Sequence, residues 1–109
     1  MKDIRKLIIK ELGDNENNYT NIGYVFLVDA IEIICNSEEP YKVMSNLENN
    51  VYSKLEIKYQ KNMKTIKSDI VKYVNKFEYF HNDLNKGDYK NTSKILIIKI
   101  FENVMNCIK

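Results

Sequence analysis

NNVYSKLEIKYQKNMKTIKSDIVKYVNKF, residues 49–77, is the stretch that decides how this chain folds. Val51, Leu55 and Tyr59 recur at a spacing of four, which lines them along one side of a helix over roughly 50–59. Gln60-Lys61-Asn62 then form a polar turn. Beyond it Met63, Ile66, Ile70, Tyr73, Val74 and Phe77 return at spacings of three and four, predicting a second amphipathic helix over about 63–79. The same stretch concentrates charge. Lys54, Lys58, Lys61, Lys64, Lys67, Lys72 and Lys76 stand there against Glu56 and Asp69, while the rest of the chain holds ten basic and thirteen acidic residues. The modest net charge of +2 therefore hides a basic segment on a slightly acidic body. Two helices joined by a short turn, the second positively charged, are the outline of a DNA-binding helix-turn-helix.

The flanking sequence is helical as well. Ile4, Leu7, Ile8 and Leu12 share a face over about 3–12, and Gly13 is placed to end that helix. A second helix is expected from a Thr20 or Asn21 cap to about Asn36, apolar nearly all round except for Asp29 and Glu32. Such a helix belongs at the centre of a bundle. Ser37-Glu38-Glu39-Pro40 stops it and starts a short third helix that buries Tyr41, Val43, Met44 and Leu47. Residues 81–91 read as a loop, and a last helix runs from a Thr92 or Ser93 cap to the end. The expected fold is all-α: one domain, a compact bundle of about six helices containing the helix-turn-helix.

Composition narrows the function classes. With 109 residues, 44% hydrophobic and 29% charged, the chain can bury a core without disulfides or metal. Cys35 and Cys107 both lie in apolar helical runs and are expected as buried reduced thiols. No leader is visible in residues 1–5, and the apolar runs 24–28 and 95–98 are too short to span a bilayer. The expectation is a cytoplasmic protein with no membrane partner. The Lys-, Ile- and Asn-rich usage with a single Arg5 fits an AT-rich bacterial coding sequence. An enzyme is not expected. His81 stands alone in a loop, the three glycines make no phosphate loop, and Glu38-Glu39 suits a helix start. No catalytic residue, metal or cofactor is assigned.

The helix over 63–79 breaks a local rule. A first helical turn carries partial positive charge and favours acids, yet Lys64 and Lys67 precede the first acid, Asp69. Each costs a few tenths to ~1 kcal/mol unless an anion arrives, and departures of this kind often mark functional sites. The candidate DNA-binding residues are Lys61, Asn62, Lys64, Thr65, Lys67, Ser68, Lys72 and Asn75. They offer lysines to phosphates and small polar groups to base edges. A lysine-rich face is ordinarily just a solvated one, so pattern alone leaves both readings open.

The order and spacing of several segments add to this. GYVFLVDAIEII (23–34), VYSKLEIKY (51–59) and MKTIKSDIVKYV (63–74) together resemble the C-terminal DNA-binding domain of the stage-zero response regulators that initiate bacterial sporulation. Gly23, Tyr24, Phe26, Leu27, Asp29, Ala30 and Ile31 stand where that family has its central-helix pattern. Tyr52 and Tyr59 match aromatics before its turn, and Ile66, Ile70 and Val74 match the buried stripe of its recognition helix. The resemblance covers residues 4–77 and resumes at 91–104. It implies a transcription regulator that places the helix over 63–79 in the major groove of double-stranded DNA. Three departures stand out. The chain starts at the effector-like sequence, so control through a phosphoreceiver is not expected. The segment between Cys35 and Val51 is a few residues longer than the family pattern. Thr65, Lys67 and Ser68 stand where the family has Arg, Glu and Arg, which weakens any carry-over of base preference.

The competing reading is an interaction module that pairs with a full-length sporulation regulator or RNA polymerase without reading DNA. The last helix is apolar on two sides, and either both are buried in one subunit or one is a homodimer seam through Ile98, Phe101 and Met105.

Overall fold

The computed structural model describes residues 3–13, 21–75 and 92–108, and all regular structure among them is helical. Six α-helices are present there: α1 (Ile4–Leu12), α2 (Ile22–Cys35), α3 (Pro40–Met44), α4 (Ser53–Tyr59), α5 (Met63–Asn75) and α6 (Thr92–Ile108). A π-helical turn, Glu48–Tyr52, leads into α4. The all-α bundle expected from the periodicity is the fold. The expected loop over 81–91 with His81, and the last turn of the helix expected to reach 79, lie outside the described residues.

Each helix starts where the local chemistry allows. The Asp3 carboxylate accepts from the Lys6 amide at 3.3 Å, and Gly13, at φ +92°, ends α1. Asn21, not Thr20, caps α2: its side-chain oxygen accepts from the Gly23 amide at 2.9 Å and the Tyr24 amide at 3.4 Å. Pro40 occupies the first turn of α3, where its missing N–H costs nothing. α6 begins at Thr92, close to where the sequence places its start.

α2 is the axis of the molecule. Tyr24, Phe26, Leu27, Val28, Ala30, Ile31 and Ile34 are all buried, and α1, α3, α4, α5 and α6 pack around them. Each fully buried Leu, Ile or Phe contributes ~1.5–3 kcal/mol, so this helix carries much of the fold's stability. Gly23 permits the closest approach, with α5 lying directly on its backbone.

One expectation is corrected here. Cys107 is exposed on the last turn of α6; only Cys35 is buried, where desolvation pushes its thiol up to about 11. Of the expected seam residues, Phe101 is covered within the subunit. It is 2% exposed, closed over by the edge of Tyr41 at 5.5 Å, within a stripe of Leu96, Ile97, Ile100 and Val104. Ile98 and Met105 are half-buried against the same core. α1, α2 and α5 pack against α6 within the subunit, while Ile95 and Ile108 remain exposed. No helix among the described residues is long and apolar enough to cross a membrane.

Candidate nucleic-acid interface

The helix-turn-helix consists of α4, the turn Gln60-Lys61-Asn62 and α5. Gln60 takes the left-handed conformation (φ +53°, ψ +46°) that reverses the chain after Tyr59. A side chain with that backbone is uncommon, and the turn is held from both sides. The Asn62 side-chain oxygen accepts from the Thr65 amide at 2.9 Å. The Glu56 carboxylate reaches across from α4 and accepts from the Met63 amide at 2.8 Å. Glu56 thus supplies the acid that the first turn of α5 lacks in sequence. The positive end of α5, which favours an anion, is occupied by the protein's own carboxylate.

All eight candidate residues are exposed: Lys61, Asn62, Lys64, Thr65, Lys67, Ser68, Lys72 and Asn75. Ile66, Ile70, Tyr73 and Val74 are buried. At 100° per residue, Lys64, Thr65, Ser68, Lys72 and Asn75 fall on the side of α5 opposite that stripe. Two of the lysines also make contacts within the protein. Lys67 points toward the π-turn, its ammonium 3.4 Å from the Glu48 carboxylate. Lys61 lies 5.9 Å from the centre of the Phe26 ring, a cation–π contact between the turn and α2. Asn62, with its oxygen committed to the cap, belongs to the turn's framework as well as to its surface.

Below the turn lies a buried charge cluster. Asp29, 3% exposed on α2, accepts from the Arg5 guanidinium at 2.7 Å, from the Lys58 ammonium at 3.0 Å and from the Tyr59 hydroxyl. Arg5 also pairs with Glu32 at 3.1 Å. Burial pushes the Asp29 carboxyl up, but the bonds from Tyr59, Arg5 and Lys58 outweigh it and hold the group below the usual carboxylate range. Burial, its bond to Asp29 and that group's charge raise the Tyr59 phenol, so it remains a donor. Tyr59 also packs edge-on against Phe26 at 5.0 Å. Lys58 and Tyr59 immediately precede Gln60, so Asp29 anchors the entry to the turn, and through Arg5 links it to α1.

Periodicity alone did not reveal this cluster. Its one signal is the pair of acids, Asp29 and Glu32, on a helix otherwise apolar nearly all round. Among the described residues no group of three or more His, Cys, Asp or Glu side chains is gathered to hold a metal ion. No protein-family model matches the chain, and no curated protein or solved structure matches it.

Proposed function

We propose that this chain is a DNA-binding transcription regulator that lays α5 in the major groove of duplex DNA. One observation carries the reading. The outward side of α5 presents Lys64, Thr65, Ser68, Lys72 and Asn75 on a helix whose entry is fixed by Glu56, Asn62 and the Asp29 cluster. A rigid helix with lysines among small polar groups can pair with phosphates and still bring hydroxyls and amides to base edges. The resemblance to the sporulation effector domain supports the same assignment.

The Glu48 pair changes the charge count. With Lys67 held by Glu48, three lysines (Lys61, Lys64 and Lys72) remain for phosphates. Neutralising three phosphates gives a slope of about −2.7 for log K against log salt, at roughly −0.9 per phosphate. Recruiting Lys67 as well would steepen it to about −3.6. Fluorescence anisotropy on an AT-rich duplex over a salt series measures this directly. A flat salt dependence, or no binding at low salt, would sink the proposal.

A further inference from the structure

Beside the outward face of α5 a cleft of about 310 Å³ opens between α5, the first turn of α6 and the π-turn with the segment before it. The segment before the π-turn and the turn itself supply Ser45, Leu47, Glu48 and Tyr52; α5 supplies Lys67 and Val71; the first turn of α6 supplies Ser93 and Lys94. The volume is at the small end of the range for ligand pockets, ~300–1,000 Å³.

Its chemistry is one-sided. Among the described residues that line it, Lys67 and Lys94 bring two positive charges against the one carboxylate of Glu48, which already engages Lys67 at 3.4 Å. The Tyr52 hydroxyl stays protonated, since burial and the Glu48 charge push it up to about 12. The Ser93 hydroxyl oxygen is closed off from solvent with no hydrogen-bond partner among the described residues. A buried hydroxyl left unpaired is destabilising, and a small shift that lets it meet a ligand oxygen would relieve that cost. Leu47 and Val71 add an apolar wall, Val71 being 43% exposed. A π-turn beside such a cleft is a further mark, because these turns occur frequently at functional sites.

We infer that this cleft binds a small oxyanion, a phosphate or carboxylate group on a compact molecule, between Lys94 and Lys67 with the Ser93 hydroxyl as an additional donor. The bound anion competes with Glu48 for Lys67. It draws α5, α6 and the π-turn together along the flank of the proposed DNA face. The inference does not depend on DNA binding, and its test uses no DNA.

The probes are inorganic phosphate and succinate, each titrated into the full ¹⁵N-labelled chain with sodium chloride adjusted to hold ionic strength constant. Amide shifts at Glu48, Lys67, Ser93 and Lys94 are expected to saturate together at millimolar concentration. Saturation by phosphate alone assigns a phosphate group, by succinate alone a carboxylate, and by both a general oxyanion site. Lys94→Ala, at an exposed position that leaves the core intact, is expected to weaken the binding roughly tenfold, as loss of a charged hydrogen bond does. Shifts that fail to saturate with either probe overturn the inference. So do shifts spread over Lys54, Lys61 and Lys72 that persist in Lys94→Ala, since those report an ion atmosphere only.

Discussion

Gly23 lies so close to the backbone of α5 that a Cβ built on it would fall 2.1 Å from the carbonyl oxygen of Asp69. The carbonyl carbon would be 2.8 Å away and the Tyr73 Cβ 3.0 Å. The neighbour is backbone, so no side-chain rotation relieves the clash. α5 rests on α2 at a distance set by a hydrogen atom, and Tyr24 and Tyr73 seal the crossing edge-on at 5.6 Å.

Gly23→Ala is therefore expected to destabilise the fold by ~1–2 kcal/mol. Overpacking a close contact typically costs ~1–3 kcal/mol, and the ~1 kcal/mol that alanine gains in helix propensity does not offset it. Urea unfolding followed by circular dichroism gives the answer. A variant as stable as the native chain, or more so, would mean that α2 and α5 do not meet at this point.

Asp29 makes stability pH-dependent with a definite sign. Its carboxyl sits below the usual range in the folded protein, so the stabilisation is fully present above about pH 4, its value in an unfolded chain. It is lost as pH falls through the folded value. Asp29→Asn should cost about 2–3 kcal/mol at neutral pH. That is less than the ~3–5 kcal/mol of a fully buried pair, because Arg5 and Lys58 are 41% and 59% exposed and can turn to water. The difference between native and variant should shrink as the solution is acidified toward pH 2. A constant difference across that range would rule out the carboxylate as its source.

Much of this architecture is legible in the sequence because helical order is local. The spacing of Val51, Leu55 and Tyr59, and of Ile66, Ile70 and Val74, marks the buried sides, and the turn at Gln60-Lys61-Asn62 falls as expected. The eight candidate residues are exposed for the same reason: they are what the apolar stripe leaves over. Contacts distant along the chain are not legible in that way. The partners of Asp29 lie 24, 29 and 30 residues away, and nothing in the periodicity of α2 names them. Glu56 reaches the Met63 amide from seven residues back, across the turn, so the first-turn acid was sought in the wrong helix. Phe101 repeats with apolar neighbours whether Tyr41 or another subunit covers it. The π-turn at Glu48–Tyr52 leaves no pattern either, since five residues are too few to show a period.

The Lys67–Glu48 pair predicts a measurable step in DNA binding. Both side chains are about half exposed, so the pair contributes little to stability and is free to open. Glu48→Gln releases Lys67 and removes a negative charge beside α5. If the proposed interface is right, the salt dependence should steepen by about 0.9, the increment for one more phosphate. The thermal midpoint should stay within a few degrees of the native value. An unchanged slope together with unchanged affinity would show that Lys67 does not reach the duplex even when released.

Base preference is the last test, and the structure alters how it should be made. Thr65 and Ser68 stand where the resembling family has arginines, and both are exposed on the outward side of α5. A hydroxyl offers a single hydrogen bond, whereas arginine grips guanine through two, so the family's guanine contacts should be missing here. Reinstating the family's acid at position 67 as well would bring a carboxylate toward Glu48 and replace an ion pair with a repulsion. The informative variant is therefore Thr65→Arg with Ser68→Arg, keeping Lys67. It should gain ~1–3 kcal/mol of discrimination per restored contact for the family's operator over a scrambled duplex. Both duplexes must be compared at one salt concentration, because added arginines also raise affinity for any DNA. A rise in affinity for both duplexes alike would place these positions against phosphates instead of bases. A native chain that already prefers the operator as strongly as the double variant would mean that another side of α5 faces the groove.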